Sequence, residues 1–315
     1  LRRRGSQPER EWRYVAVIQS IKGIYAPVIT TFDRRGELDL DAFGINLKAH
    51  LAAGVDGIVV CGSTGEAALL EEDERHRIIE MARSVIPRER KLIVGTGGES
   101  TKATVRRCKE AAERGASHCL VVAPHYYSNA MSNSALQAHY ERVADESPVP
   151  ILLYNIPKYM HYKLDPELVV RLSEHDHIIG MKDSSGDLDT LPRYLLSQSD
   201  TFGVLTGHGG TWHKALQLGV VGGILAVVLI APELTLDIAR FAKDHREPEG
   251  SETQRRLLPI ALEIVGRMGI PAVKVAMQMI GLRGGPVRLP LLDSSPSDVA
   301  LVKDLLREAS VVAVA

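Results

Sequence analysis

One lysine carries more chemical promise than any other residue of the chain. It stands in Ile178-Ile179-Gly180-Met181-Lys182-Asp183-Ser184-Ser185-Gly186-Asp187, where an apolar run meets a basic residue and then a polar loop. A lysine at the end of a buried strand is costly to keep charged, and an uncharged amine can attack a carbonyl to form a Schiff base. The same position also suits a lysine that pairs with Asp183 or Glu66 and merely closes a charged network. Gly62-Ser63-Thr64-Gly65-Glu66 offers flexible backbone N–H groups and two hydroxyls, which suits a carboxylate or phosphate held without a cation. It equally suits a tight turn that caps a helix. Tyr154, in Ile151-Leu152-Leu153-Tyr154-Asn155, could pass protons through its hydroxyl, or could simply pack its ring.

These residues need elements to position them. The chain reads as eight units of a short apolar strand followed by an amphipathic helix. The strands are continuous apolar runs, as expected of parallel strands buried on both faces. They fall at 23–32, 55–61, 92–94, 118–123, 151–154, 178–182, 202–205 and 222–228. Eight such units close a (β/α)8 TIM barrel, an α/β fold of about 250 residues. The barrel spans residues 21–246, after a basic tail over 1–20. A polar stretch with Pro248 and Gly250 reads as a linker, and residues 247–315 read as a helical C-terminal segment with helices at 253–268, 271–282 and 296–309.

In such a barrel the active site lies at the C-terminal ends of the strands. That rule collects Ser63, Thr64, Glu66, Thr96, His125, Tyr126, Tyr127, Tyr154, Asn155, Lys182, Asp183, Ser184 and His208, with Lys182 the one lysine at a strand end. The histidines scatter without the spacing of a helical metal site, so a metal-dependent aldolase is disfavoured. The glycine-rich stretches at 207–210 and 222–223 lie where barrels often hold phosphate, but neither contains Lys or Arg. Cys61 reads as a core residue inside a strand. No dinucleotide fingerprint, P-loop or nucleophile elbow occurs.

The 315 residues are 45% hydrophobic and 24% charged, with a formal net charge of -1. That balance gives no footprint for nucleic acid or an anionic membrane. Three cysteines without CxxC spacing fit a reducing, cytoplasmic setting. The basic N-terminus has no apolar core and does not read as a secretory signal.

Three motifs together carry a resemblance: Gly62-Ser63-Thr64-Gly65-Glu66, Tyr154-Asn155-Ile156-Pro157 and Gly180-Met181-Lys182-Asp183-Ser184-Ser185-Gly186-Asp187. In order and spacing the chain resembles the dihydrodipicolinate synthase and N-acetylneuraminate lyase superfamily, the class I pyruvate-dependent aldolases. The resemblance implies that Lys182 forms a Schiff base with pyruvate or another 2-oxo acid and that no other cofactor is needed. It implies Tyr154 as proton relay, and Gly62, Ser63, Thr64 and Ser184 as the substrate cradle, with Thr64 also part of the catalytic set. A second tyrosine, Tyr126 with Tyr127 as runner-up, would reach across a subunit interface of a homo-oligomer, either a dimer or a tetramer of two tight dimers. The synthases carry an arginine shortly after the tyrosine motif, and here Tyr159 takes its place. That departure, together with Pro124-His125-Tyr126-Tyr127 and Gly269-Ile270-Pro271, looks closer to the 4-hydroxy-2-oxoglutarate aldolases of the superfamily, although those of mammals have asparagine at Thr64. The expectation is therefore cleavage of 4-hydroxy-2-oxoglutarate to pyruvate and glyoxylate. The alternatives are the synthase reaction of pyruvate with aspartate semialdehyde, a 2-keto-3-deoxy sugar acid aldolase or dehydratase, and a barrel that only binds ligand.

Overall fold

The computed structural model describes residues 19–311. Eight parallel strands close a barrel in sequence order: β1 Gly23–Pro27, β2 Gly57–Val60, β3 Lys91–Gly95, β4 His118–Val122, β5 Ile151–Asn155, β6 Ile178–Asp183, β7 Gly203–Thr206 and β8 Gly222–Ile224. β8 returns to pair with β1, which removes any sheet edge. The strands are buried along nearly their whole length, which is why they read as apolar runs without alternation. The basic tail expected over 1–20 lies, for residues 1–18, outside the described residues.

Helix starts follow local chemistry. Asp39, Ser100, Ser132 and Asp165 each accept a backbone N–H at a helix N-terminus, and Glu71 with Glu74 forms a capping box. The helices that pack outside the barrel therefore begin where a side chain can take up a backbone N–H left free at the helix start.

Five expectations need correction. β1 stops at Pro27, and residues 28–32 continue as a buried loop rather than strand. Cys61 lies one residue beyond β2 with a φ of 52°, so it turns the chain into the Ser63 loop; its side chain is buried all the same. The strand expected over 222–228 stops at Ile224, and a 3-10 turn, Ala226–Leu229, follows it. The stretch around Pro248 is no linker. It is the first turn of the helix Glu247–Pro259, where Pro248 sits at a position whose N–H needs no partner. Gly250 is buried there against His213, whose Nε2 would stand only 2.5 Å from a Cβ at that position. Finally, the single helix expected over 253–268 changes character at Pro259. A proline cannot donate to the preceding turn, and from there the chain widens into a π-helix, Ile260–Met268.

The helices Ile270–Met279 and Pro296–Glu308 complete the chain. Ile260, Ile264, Val273, Met277, Val302 and Leu306 are all buried in one apolar cluster with the barrel strands. No helix among the described residues is long and apolar enough to cross a membrane.

Candidate active site

Strand register assembles the centre. On neighbouring strands Tyr154 of β5 pairs with Lys182 of β6, and Asn155 with Asp183. Side chains alternate across a strand, so Tyr154 and Lys182 share one face and their neighbours the other. The Lys182 amine lies 4.2 Å from the centre of the Tyr154 ring. Both residues are buried, 6% and 4% exposed. They open into a pocket of about 340 Å³ that is also lined by Ser63, Thr64, Ser184 and His208.

Neither acid that could have made Lys182 structural pairs with it. Glu66 is engaged elsewhere: its Oε1 lies 2.6 Å from Lys274 Nζ in a fully buried ion pair, and its Oε2 accepts the Arg288 N–H at 2.9 Å. Lys274 also donates to the Pro286 carbonyl at 2.6 Å. Burial pushes the Lys274 amine down, and the Glu66 charge opposes that shift. Asp183 points away from the pocket face and is satisfied by Asn155 Nδ2 at 2.7 Å and by Ser185 Oγ at 2.7 Å. Burial raises the Asp183 carboxyl, while those two bonds hold it back. Asn155 in turn accepts from Leu164 N–H at 3.0 Å, which locks the end of β5.

The Ser63-Thr64 loop forms a 3-10 turn, Ser63–Gly65, with no side-chain cap at Gly62. It caps no longer helix, and both hydroxyls line the pocket while Gly62 does not. Thr30 Oγ1 holds the loop from below by donating to Gly65 O at 2.7 Å. Glu66 then takes a φ of 56°, a left-handed turn that a non-glycine side chain adopts only when the surroundings hold it. Its buried bonds to Lys274 and Arg288 supply that hold.

Gly207 makes room for the lysine. A Cβ there would stand 2.6 Å from Lys182 Cε and 2.0 Å from Ser184 Oγ. Tyr126 and Tyr127 stand outside this pocket, 76% and 70% exposed and packed edge to face. Their loop is tied down by Glu99, which accepts from His125 N–H at 2.9 Å and Tyr126 N–H at 2.8 Å.

Sequence reasoning missed one wall. Val265, Gly266, Gly269, Ile270 and Val273 come from the π-helix and the helix after it, and they line the pocket opposite the strand ends. Lys158 and Tyr159 also line it, and Lys158 donates to the Gly266 carbonyl at 2.9 Å. The sequence signals for this wall were Pro259 inside an otherwise helical pattern and the Gly269-Ile270-Pro271 motif, neither of which places it at the pocket.

The dihydrodipicolinate synthetase family model matches residues 20–309. The chain belongs to that family. This dihydrodipicolinate synthetase family member is a carbon–carbon lyase of the class I, pyruvate-dependent type. It is 32% identical to the 4-hydroxy-tetrahydrodipicolinate synthase of Methanothrix thermoacetophila over 292 residues, covering 92% of this chain and 97% of that protein. It is also 32% identical to the enzyme of that name from Ectopseudomonas mendocina, covering 93% of this chain and 100% of the relative. Among solved structures, the chloride-inhibited dihydrodipicolinate synthase of Acinetobacter baumannii in complex with pyruvate superposes with a TM-score of 0.88 at 26% identity. That match covers 93% of this chain and all of the other. The expected barrel and the expected superfamily both hold.

Proposed function

We propose that the chain joins pyruvate to an aldehyde, or runs that reaction backwards, through an imine on Lys182. The observation that carries this is the buried Lys182 amine beside the Tyr154 ring, in a pocket whose polar side chains among the described residues are hydroxyls, two lysines and one histidine, with no carboxylate. Lys182 attacks the C2 carbonyl of the 2-oxo acid, and the carbinolamine loses water to give the imine. The protonated imine draws electrons from C3, so a C3–C4 bond can form from the enamine or break to release the aldehyde. Ser63 and Thr64, with Gly62 and Ser184 nearby, hold the carboxylate, and Thr64 links it to the Tyr154 relay. Tyr154 takes and returns the proton on the C4 hydroxyl. No cofactor beyond this covalent lysine is required.

The names of the relatives support aspartate semialdehyde as the partner of pyruvate, the synthase reaction. The expected cleavage of 4-hydroxy-2-oxoglutarate has one observation in its favour: among the described residues no arginine lines the pocket, and Tyr159 and Lys158 stand there instead. A lysine binds a carboxylate as a point charge, without the bidentate fork of arginine. The exposed Tyr126 supports a homo-oligomer in which that side chain reaches a partner's pocket. Three buried free cysteines fit a cytoplasmic setting.

Pyruvate with borohydride tests the core of this reading. Reduction should add one pyruvate-derived mass to Lys182, and Lys182→Ala should lose both the adduct and turnover while keeping the fold by circular dichroism. An adduct on another residue, or full turnover in that variant, would sink the assignment. Pyruvate consumption with aspartate semialdehyde, and pyruvate release from 4-hydroxy-2-oxoglutarate and 2-keto-3-deoxy sugar acids, would rank the partners.

A further inference from the structure

The loop after β7 carries a histidine that the imine chemistry leaves without a task. His208 lines the same pocket as Lys182, Tyr154 and Ser184. Its backbone N–H is held by Thr206 Oγ1 at 3.2 Å. The Thr211 hydroxyl donates to the His208 carbonyl at 3.4 Å, which leaves its oxygen to accept the ring Nδ1–H at 3.1 Å. With that hydroxyl turned to the carbonyl, the tautomer that fits carries its proton on Nδ1 and keeps a lone pair on Nε2.

The ring is tightly housed. A Cβ on Gly186, whose φ is 69°, would meet His208 Cγ at 2.8 Å, and one on Gly210 would meet Cε1 at 3.0 Å. Gln254, from the helix Glu247–Pro259, donates to the carbonyls of Gly209 at 3.0 Å and Gly210 at 3.4 Å, so the loop is pinned from the C-terminal segment. Burial holds the imidazole below the usual histidine range, and the Asp183 charge behind it only partly reverses that, so the ring is neutral at pH 7.

The other polar side chains lining the pocket are serine, threonine and tyrosine hydroxyls and two lysines. Hydroxyls can donate or accept as the partner requires, a charged lysine such as Lys158 only donates, and the lone pair of the Lys182 amine is spent on the 2-oxo acid carbon. Nε2 of His208 is therefore the one lining side-chain atom among the described residues that, in this tautomer, can only accept.

We propose that His208 accepts a hydrogen bond from the non-pyruvate half of the substrate, so that the aldehyde partner carries a hydroxyl or an ammonium group. This rests on the Lys182 reading and narrows it. Aspartate semialdehyde carries an ammonium, hydroxyaldehydes carry a hydroxyl, and glyoxylate carries neither and leaves Nε2 unpaired. A site built around such an acceptor discriminates against a partner that lacks the donor.

The test uses the full-length enzyme, pyruvate and two matched pairs of aldehydes. The pairs are aspartate semialdehyde against succinic semialdehyde, and 2-hydroxypropanal against propanal. In each pair the second member lacks only the donor. The wild type should prefer the donor-bearing member of at least one pair by roughly 10- to 100-fold in kcat/KM. His208→Ala should erase that preference by slowing the donor-bearing member alone, and His208→Asn, whose amide oxygen still accepts, should restore part of it. Trapping with pyruvate and borohydride, without any aldehyde, measures how far His208→Ala disturbs Lys182 itself, and the aldehyde rates are compared per trapped site. The inference is overturned if the wild type shows no preference or no turnover with donor-bearing aldehydes. It is also overturned if His208→Ala slows both members of a pair equally. Failure of trapping in the wild type would instead strike the Lys182 reading, and this inference with it.

Discussion

Lys182 shows how a reactive residue is kept free by its neighbours' other commitments. Glu66 is bound to Lys274 and Arg288, and Asp183 to Asn155 and Ser185, so neither acid claims the Lys182 amine. Space is reserved for it in the same way. Gly207 faces Lys182 Cε and Ser184 Oγ at distances where a methyl group cannot fit without displacing one of them. Gly207→Ala should therefore slow pyruvate trapping on Lys182 by about tenfold or more, while costing the fold about 1–3 kcal/mol, the usual penalty of overpacking. Borohydride trapping rates beside urea denaturation separate the two effects. A variant that traps at the wild-type rate would show that the lysine does not need that space.

The element that most changes the picture is the C-terminal helical segment. It was expected as an appendage beyond a linker, yet its π-helix and following helix form a wall of the pocket, and Lys274 reaches down to the Ser63 loop. Breaking a buried pair by removing one partner leaves an uncompensated charge, whereas replacing both partners removes most of that penalty. Lys274→Met should lower stability by about 3–5 kcal/mol in urea titration. It should also raise the KM for pyruvate, because Glu66 no longer holds the turn that presents Ser63 and Thr64. Lys274→Met combined with Glu66→Gln should recover much of the stability but not the KM. Recovery of both together would mean that the pair supports the fold without positioning the loop.

At the scale of the whole molecule, acid stability follows from buried histidines. Burial pushes His50 down to about 4, His118 to about 3 and His139 to about 4. The unfolded chain takes up these protons near pH 6.5 and the folded chain does not. Their contribution is thus complete above pH 6.5 and is lost as pH falls from there toward about 4. At pH 5 the loss is roughly 2 kcal/mol for each, by the worth of one pKa unit. Asp183, held above the usual carboxylate range, works in the opposite direction, because its protonation favours the folded state as pH falls. Carboxylates held down by arginine, Glu74 among them, lose their contribution only as pH falls through and below the ordinary carboxylate range of about 4, and so stay outside the span from pH 6.5 to 5. Tm should drop steeply between pH 6.5 and 5, and replacing His50 with a nonionisable residue of similar shape should flatten that drop. A flat profile across this range would show that the three rings are not neutral in the folded protein.

The sequence alone determined the eight βα units, the barrel, and the placement of Ser63, Thr64, Tyr154 and Lys182 at one end of it. These follow from local patterns: buried parallel strands are short apolar runs, and the polar residues that end them fall in loops at the catalytic face. Pro248 and Gly250 misled because a proline or glycine marks a break only where the surroundings leave room for one; Pro248 opens a helix and Gly250 packs on His213. Only the tertiary structure decided which acid pairs with which base, that the last helices wall the pocket, and that His208 is left as its acceptor. Those outcomes depend on residues far apart in the chain meeting when the barrel closes and the C-terminal helices fold across its mouth, and periodicity along the chain carries no record of where such side chains will point.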